Sequence, residues 1–412
     1  MPAHLSAAII TVGSELVEGL RVDTNTAEIA RDVSRFGFKV AEAVSVGDDE
    51  FLLADTIARL CAHMPLVVVT GGLGPTHDDV TREAVSRALE LEMTPDPALL
   101  KFLEPFLARH SDPSSAEQVL TQALVLDGAR VLAPENGTAA GQVVPTAAGH
   151  LVLLPGPPRE MRPMLARALE PYTATRGAAR DLGVTGLAES DVQHAAQRAL
   201  SRFSGINLTV LAKPGDVRVV LLDDGASAAS LDQAARAVAR ELGDACYSTA
   251  GETLAEALVR EAEKRGVTVA AAESCTGGMV AAAITDVPGA SAVFLGGAVV
   301  YSNATKSALL GVDEGTLAEH GAVSEPVAAQ MAAGGRERFG ADVCVSVTGV
   351  AGPDGGTALK PVGLVWFGLD STRSGGGTEQ TSRRFGAASR ESVRARATAL
   401  ALDLLRREVL RT

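Results

Sequence analysis

The chain has 412 residues, and at roughly 150 residues per domain this length suggests two or three domains. Hydrophobic residues make up 46% and charged residues 21%, a composition that excludes a mainly disordered chain. The net charge is −13, and no basic block offsets it, so nonspecific binding to nucleic acid or to an anionic membrane is disfavoured. An anionic ligand would need to be held by local features.

The first residues lack a positively charged region followed by a long apolar run, and no stretch of about 18 uninterrupted apolar residues occurs anywhere. We therefore expect neither a secretory signal nor a membrane span. The four cysteines lie far apart in the chain and form no Cys-x-x-Cys pair, which favours reduced thiols and a cytoplasmic protein. They are Cys61, Cys246, Cys275 and Cys344.

Short apolar strands alternate with helices over residues 1–171, which we take as the first domain. This alternation predicts a parallel sheet covered by helices on both faces. The predicted strands are Ala7–Val12, Leu66–Thr70 and Leu151–Leu154, and the predicted helices are Thr24–Phe36 and Val80–Glu90.

Residues 172–250 predict a small α+β connecting module. Its predicted helices are Val192–Leu200 and Ser230–Leu242, and its strands are Asn207–Ala212 and Val217–Leu222, joined by a turn at Lys213–Asp216. The Gly-x-x-Gly at Gly183–Gly186 resembles the loop of an RNA-binding KH module. However, Val184 and Thr185 fill it, and the module is not basic. We therefore favour a spacer or dimerisation role over nucleic-acid binding.

Residues 251–412 predict a second α/β unit. A capping box of Thr253 and Glu256 begins its first helix, and Gly266 ends that helix. The fold class is therefore α/β, with two domains of mostly parallel sheets joined by a small α+β, KH-like module. Strands are predicted at Val267–Ala271, Ala292–Val300, Val343–Thr348 and Val362–Leu369, and a last helix from Ser389 to about Arg407.

A glycine-rich loop, Thr70–Thr81, follows a buried strand and precedes a helix. Glycines let the backbone approach a ligand, and N–H groups at a helix start attract anions such as phosphate. Asp78 and Asp79 would repel bare phosphate, so they suggest a bridging divalent cation. The alternative is a tight turn in which an Asp caps the helix. The residues expected to contact the phosphate are Gly71, Gly72, Gly74 and Thr76.

Other loops follow strands of the same predicted sheet and are expected to reach the same crevice. They are Gly13–Glu15, Asp23–Asn25, Glu135–Gly141 and Pro155–Glu160. Within the last of these, Arg159 is a candidate phosphate clamp. It is equally well explained as a solvated arginine at a helix start.

Ser274 follows a predicted strand and precedes a helix of small residues, so the next backbone N–H groups, Gly277 included, are expected to face the substrate and form an oxyanion hole. His320 is the single histidine of this domain, which disfavours a Ser-His-Asp triad. Lys306, at a helix start beside apolar residues, is a better candidate base because burial favours its neutral form. The alternative is that Ser274 only caps the helix and Lys306 is solvated.

Cys275 offers a rival nucleophile at the same turn, although without a nearby histidine it is better explained as a packing residue. A second glycine-rich loop, Thr348–Gly356, offers the Thr348 hydroxyl and backbone donors such as that of Gly349 to a phosphate or sugar. A flexible connection is the alternative for this loop.

Three blocks of the first domain resemble the molybdopterin-binding-like domain of the competence/damage-inducible CinA family: Thr11–Asn25, Thr70–Thr81 and Pro155–Arg159. Domains with this loop bind pterin or nucleotide phosphates. In the CinA family the domain is associated with metal-dependent ADP-ribose pyrophosphatase activity. The resemblance makes Asp79 the favoured metal- or phosphate-site residue, with Asp78 as the additional acid of the CinA version.

The last domain resembles the CinA C-terminal domain, which is similar to nicotinamide mononucleotide deamidases. The resemblance implies that Ser274 is the nucleophile, Lys306 the general base and Tyr301 a residue that orients or activates the pair. It also implies substrate contacts by Ser291 and Thr348, and no metal for this reaction. The blocks that carry it are Ala272–Gly278, Gly289–Ser291, Gly296–Lys306, Thr348–Gly356 and Lys360–Gly363.

The resemblance covers essentially the whole chain and implies a homodimer. It predicts a bifunctional enzyme of pyridine-nucleotide recycling, whose substrates are nicotinamide mononucleotide and ADP-ribose. Two alternatives stay open. One is a pterin- or nucleotide-binding first domain without hydrolysis, and the other is a competence or DNA-damage partner protein, for which the charge of −13 disfavours direct DNA contact.

Overall fold

The chain folds as two compact units, Met1–Gly177 and Ala178–Thr412, in a computed structural model. The described residues are 5–107, 118–172, 179–223, 227–373, 377–386 and 388–411. The boundary predicted after residue 171 adjoins residues 173–178, which lie outside this set. Among the helices that these ranges contain, none is long and apolar enough to cross a membrane.

The first unit contains a six-stranded sheet built from β1 (Leu5–Val12), β2 (Phe38–Val46), β3 (Leu66–Thr70), β6 (Arg130–Leu132), β7 (Gly141–Pro145) and β8 (His150–Leu154). A short separate pair consists of β4 (Met93–Pro95) and β5 (Leu124–Leu126). The order of the large sheet is β2-β1-β3-β8-β7-β6, with the first four strands parallel and the last two antiparallel. The central strand β3 is buried at every residue, as its continuous apolar run predicts.

Helices cover both faces of this sheet, which confirms the predicted α/β layering. One core joins Ile10 and Val67 to the helices Glu50–Cys61 and Thr81–Leu89, and the other joins Ile9 and Val68 to the helices Asn25–Arg35 and Pro158–Leu169. The helices are α1 (Ser14–Val17), α2 (Asn25–Arg35), α3 (Glu50–Cys61), α4 (Thr81–Leu89), α5 (Pro97–Leu107) and α6 (Pro158–Leu169).

The second unit begins with a four-stranded antiparallel sheet of β9 (Ala179–Val184), β10 (Ile206–Lys213), β11 (Asp216–Asp223) and β12 (Cys246–Ser248), in the order β10-β11-β9-β12. Two helices, α7 (Glu189–Leu200) and α8 (Ala228–Leu242), share one core with it. The predicted turn joins β10 to β11. Gly183 lies inside β9, where a side chain would collide with the ring of Tyr247, so close packing explains this glycine.

A five-stranded sheet follows, made of β13 (Val269–Glu273), β14 (Phe294–Val299), β15 (Val343–Gly349), β16 (Leu364–Ser371) and β17 (Gly377–Arg384). Its order is β14-β13-β15-β16-β17. The first three strands in this order are parallel, and β16 and β17 are added antiparallel, so this sheet is mixed rather than mostly parallel. Strand β17 contains no apolar residue, and hydrophobic periodicity therefore does not reveal it.

The remaining helices are α9 (Leu254–Arg265), α10 (Met279–Thr285), α11 (Asn303–Leu310), α12 (Glu314–His320), α13 (Glu325–Phe339) and α14 (Arg390–Leu410). The capping box of Thr253 and Glu256 and the left-handed C-cap at Gly266 are both confirmed for α9. All four cysteines are free, and Cys246 alone among them is only half-buried.

Candidate functional sites

The carboxyl ends of the parallel strands β1, β3 and β8 meet at one edge of the first sheet. Asn25 connects two of these ends, because its side-chain amide donates to the carbonyl of Gly156 at 2.7 Å and to the hydroxyl of Thr70 at 3.3 Å. The Thr70 hydroxyl in turn donates to the carbonyl of Pro155 at 2.9 Å. These bonds hold the predicted loops together, as the sequence pattern indicates.

The glycine loop takes a backbone path that side chains would block. Gly71 and Gly72 have φ angles of +106° and +64°, in the region that favours glycine. A Cβ at Gly71 would collide with the carbonyl of Val12, and one at Gly72 with the hydroxyl of Thr81. The backbone of β1, the loop and the start of α4 therefore pack directly against each other.

Arg82 holds the glycine loop in place through hydrogen bonds to its backbone. Its side chain is buried, and its guanidinium donates to the carbonyls of Leu73 at 2.9 Å and Gly74 at 3.1 Å. Burial lowers the pKa of Arg82, while Glu83 and Asp79 act in the opposite direction. Sequence reasoning missed this residue, because an arginine in the first turn of an amphipathic helix is typically solvated.

The two loop aspartates differ in their surroundings. Asp79 Oδ2 accepts hydrogen bonds from the backbone N–H of Thr76 at 2.8 Å and from its hydroxyl at 2.6 Å, so Thr76 helps to hold this carboxylate. Asp78 is exposed, and its Oδ1 lies 2.9 Å from Nε2 of His77. Asp79 thus closes the turn that precedes α4, whereas the N-cap of that helix is Val80 and no aspartate side chain caps it.

The loop borders a cavity of about 610 Å³. Asp78, Asp79, Arg21 and Glu160 all line it, whereas Arg159 does not and is 80% exposed. Glu160 is only 9% exposed, and burial raises the pKa of its carboxyl group. The sequence analysis did not single out Arg21 or Glu160, although Arg21 lies within the block Thr11–Asn25 and Glu160 ends the loop Pro155–Glu160. Lining residues from the strand ends include Thr11, Gly13, Asp23, Asn25, Thr70, Gly71, Gly72, Gly74, Gly137, Pro155 and Gly156.

The carboxylates at this cavity fit a cation that shares its coordination with a substrate. Within the described ranges no group of three or more His, Cys, Asp or Glu side chains is arranged to hold a metal by itself. Magnesium-like ions typically use one or two protein carboxylates together with substrate phosphates and water. Asp78 and Asp79 can supply that number of ligands at the mouth of the loop.

In the second unit, Ser274 and Lys306 lie side by side. Ser274 directly follows β13, and its backbone N–H donates to the carbonyl of Val347 in β15. Lys306 lies in α11, whose N-cap is Ser302, and its Nζ is 3.1 Å from Oγ of Ser274. The predicted pair is therefore in contact, at the carboxyl end of two parallel strands.

Lys306 is almost fully buried, with 1% of its surface exposed. Its Nζ donates to the carbonyls of Val300 at 2.9 Å and Tyr301 at 3.3 Å. Burial lowers the pKa of Lys306, with a smaller opposing contribution from Cys275. The environment therefore favours the neutral amine that a general base requires.

The carboxylate of Glu273 occupies the N-terminus of α10. It is buried and accepts hydrogen bonds from the backbone N–H groups of Gly278 at 3.0 Å, Val280 at 3.1 Å and Ala281 at 2.9 Å. The N–H of Gly277 donates to the carbonyl of Ser274. These donors, Gly277 included, are not available to an oxyanion, contrary to the sequence expectation.

Two backbone N–H groups at the turn after Ser274 remain available to a substrate oxygen. Among the described residues, no main-chain carbonyl accepts a hydrogen bond from the backbone N–H groups of Cys275 and Thr276. Arg394 positions this segment, because its guanidinium donates to the carbonyls of Cys275 at 3.1 Å and Thr276 at 2.8 Å. Burial raises the pKa of the Cys275 thiol to about 12, so this side chain stays protonated near neutral pH, in line with a packing role.

Replacing Glu273 with glutamine is expected to destabilise the fold by about 2–3 kcal/mol. Glutamine has one acceptor oxygen for three buried N–H groups, and an unsatisfied buried donor costs about 1–3 kcal/mol. Chemical denaturation measures the free energy of unfolding. Glu325→Gln, at the exposed first turn of α13, is the control and should change stability by less than about 0.5 kcal/mol.

Among the described residues, no hydrogen bond joins the Tyr301 phenol to Ser274 or Lys306. Tyr301 is 61% exposed, and its hydroxyl accepts a hydrogen bond from Arg390 at 3.0 Å. Arg390 also donates to the carbonyl of Gly352, which connects Tyr301 to the second glycine loop. The carbonyl of Tyr301, rather than its phenol, orients Lys306. The sequence analysis did not identify Arg390, because this residue lies outside the blocks that resemble the CinA C-terminal domain.

Two other predicted substrate contacts are placed differently from the expectation. The hydroxyl of Thr348 is buried and donates to the carbonyl of Ala322 at 2.8 Å, and Gly349 ends β15 beside it. Ser291 is exposed and precedes β14, whose strand runs parallel to β13. Within one chain, Ser291 therefore lies at the opposite edge of the sheet from Ser274, roughly 16 Å away along five strand residues.

Comparison with known proteins covers nearly the whole chain. The family model described as "Probable molybdopterin binding domain" matches residues 8–175, and the family model described as "CinA C-terminal domain" matches residues 251–409. A putative competence-damage inducible protein from Symbiobacterium thermophilum is 39% identical over 98% of this chain and 99% of its own length. A CinA-like protein from Thermotoga maritima is 37% identical over 97% of each chain.

Among solved structures, the competence/damage inducible protein CihA from Agrobacterium tumefaciens is 40% identical. The match covers 37% of this chain and 94% of that one, with a TM-score of 0.35. This chain belongs to the CinA family of competence/damage-inducible proteins.

Proposed function

We propose that the second unit hydrolyses the carboxamide of nicotinamide mononucleotide, releasing ammonia and nicotinate mononucleotide. The observation that carries this proposal is the 3.1 Å contact between Nζ of a buried lysine and Oγ of a serine at a strand-to-helix turn. A serine becomes a nucleophile only beside a base, and Lys306 is positioned as that base. The substrate itself is inferred from the family resemblance.

A neutral Lys306 fits the surrounding groups. A neutral amine has two N–H bonds and one lone pair, and the carbonyls of Val300 and Tyr301 accept the two N–H bonds. The lone pair then faces the Ser274 hydroxyl. Both carbonyls also stabilise the ammonium that forms when the serine loses its proton.

The reaction proceeds in two halves. Ser274 Oγ attacks the amide carbon while its proton passes to Lys306. The C–N bond then breaks, and Lys306 returns the proton to the departing ammonia. Water attacks the resulting ester with Lys306 again as base, which releases the carboxylic acid and restores the serine. The N–H groups of Cys275 and Thr276 are the donors for the developing oxyanion. Arg390, which connects Tyr301 to the second glycine loop, is the candidate cation for the substrate phosphate.

The pH dependence of this reaction follows from Lys306. Burial lowers the pKa of Lys306, so kcat/KM should rise as the pH passes through that lowered pKa. It should reach its plateau at a pH below 10.5, the usual pKa of a lysine. In the same window the unfolded chain binds one more proton than the folded chain, so folding stability also rises with pH. A pH profile of ammonia release measures the first effect. Tyr301→Phe should leave the profile in place, and a profile that shifts with this variant would contradict the assignment.

We propose further that the first unit hydrolyses ADP-ribose to AMP and ribose 5-phosphate with a divalent cation. Asp79 and Asp78 would hold the cation, which would offset the negative charge of the pyrophosphate when bound. The glycine loop would cradle phosphate oxygens with its N–H groups, and Arg82 fixes that loop through two carbonyls. The cavity of about 610 Å³ is within the range of small-molecule sites.

Two assays on the full chain test these proposals separately. Ammonia release from nicotinamide mononucleotide should persist with a chelator present, whereas AMP release from ADP-ribose should require added divalent cation. If the chain binds ADP-ribose without turnover under all metals tried, the first unit is a binding module. If ammonia release is absent, the amidase proposal fails for this substrate.

A further inference from the structure

A basic groove lies on the small α+β part of the second unit, between the end of α7 and the exposed face of α8. It has a volume of about 530 Å³. Its lining residues, which we call the arginine groove, are Arg202, Phe203, Ser230, Gln233, Arg236 and Arg240. Every polar side chain in this set can donate hydrogen bonds, and none is negatively charged. A groove lined by three arginines and no acidic residue is unusual in a chain that has 50 acidic and 37 basic residues.

The nearest acids on α8 are already paired with arginines outside the groove. Asp232 Oδ1 lies 2.6 Å from Nε of Arg180, which lowers the pKa of Asp232, and Arg236 adds a weaker contribution. Glu241 lies 3.0 Å from a guanidinium nitrogen of Arg198. The positive charge of the groove is therefore not neutralised by a dedicated carboxylate among the described residues.

The three arginines converge although like charges repel. Arg236 and Arg240 are four residues apart on one helix face, the spacing at which like charges destabilise a helix. Arg202 lies in the turn that follows α7, over the ring of Phe203, with 5.5 Å between its guanidinium carbon and the ring centroid. An anion between these groups would relieve the repulsion, and guanidinium groups match phosphate oxygens in geometry.

We propose that the arginine groove binds a ligand with two or more linked phosphate groups. Three guanidinium groups offer more charge than one phosphate needs, and the volume is that of a small-molecule site. A free polyphosphate compound and a nucleic-acid strand both present this chemistry. The site is separate from the serine–lysine pair and does not depend on either proposed activity.

The test measures binding of inorganic tripolyphosphate to the full chain at low salt by isothermal titration. The glycine loop of the first unit is expected to bind phosphates as well. The affinity for tripolyphosphate is therefore compared between variants of the arginine groove and the wild type. Arg236→Gln with Arg240→Gln should weaken one binding event by at least about tenfold, because charge-assisted hydrogen bonds are lost. Lys264→Gln with Arg265→Gln, at the exposed end of α9, removes the same charge and should leave all binding events unchanged.

Arg202→Gln, in the turn that follows α7, should reproduce the loss, and circular dichroism should show that all variants remain folded. A single-stranded oligonucleotide in place of tripolyphosphate distinguishes the two sources. If only the oligonucleotide shows the arginine-dependent difference, the linked phosphates belong to a strand. If both groove variants bind tripolyphosphate and the oligonucleotide as the Lys264/Arg265 control does, the proposal is overturned.

Discussion

Ser274→Ala is expected to abolish ammonia release from nicotinamide mononucleotide, with a loss on the order of 10⁴-fold or more. The alanine removes the one oxygen that lies 3.1 Å from the buried lysine amine, and no covalent intermediate can form without it. The measurement is the initial rate of ammonia release at saturating substrate. Hydrolysis of ADP-ribose by the same variant should be unaffected, because Ser274 lies in the other unit.

Lys306→Met should cause a loss of similar size, and the double variant should be no worse than either single one. Residues that act as a unit in one proton transfer give effects that do not add. The methionine also leaves the carbonyls of Val300 and Tyr301 without their donor, at a cost of about 1–3 kcal/mol. A thermal melt must therefore accompany the kinetics. Ser274→Ala leaves both carbonyls with their donor, so comparing the two variants separates lost chemistry from lost stability.

Cys275→Ala is the matched control for the nucleophile. The Cys275 thiol is buried and its pKa is raised to about 12, so its loss should leave ammonia release within a few-fold of the wild type. If Cys275→Ala is inactive while Ser274→Ala keeps full activity, the cysteine is the nucleophile and the serine–lysine assignment is wrong.

The chemistry-bearing loops could be predicted because each depends on local sequence. A buried strand followed by glycines, or by a serine and then small residues, specifies a strand-to-helix turn without reference to distant parts of the chain. The loop at Gly71 and the turn at Ser274 are both of this kind. Parallel strands then bring such turns to one edge, which placed Lys306 beside Ser274.

The supporting charges could not be predicted, because their burial depends on packing between distant elements. Arg82, Glu160 and Glu273 each look like solvated residues in sequence, yet each is buried. Arg394 contacts residues more than a hundred positions away. Within one chain, Ser291 lies away from Ser274 for a related reason: resemblance supplied its position in the sequence, whereas strand direction decides on which edge of the sheet it lies.

Asp79→Asn should reduce metal-dependent ADP-ribose hydrolysis on the order of 100-fold or more while leaving ammonia release unchanged. The amide oxygen of asparagine can still accept the hydrogen bond from the backbone N–H of Thr76, so the turn is retained. What is lost is the negative charge that would hold the cation. Asp78→Asn should have a smaller effect, because this carboxylate is exposed and lies at the rim.

Asp96→Asn is the matched control, since Asp96 also accepts backbone N–H bonds, from Ala98 and Leu99, but is not among the cavity-lining residues. A second readout avoids relying on activity alone. Divalent cation with a phosphate ligand should raise the melting temperature of the wild type and of Asp96→Asn, and not that of Asp79→Asn. If Asp79→Asn keeps both the activity and the metal-dependent shift, the cation is held elsewhere, and the glycine loop acts through its backbone N–H groups alone.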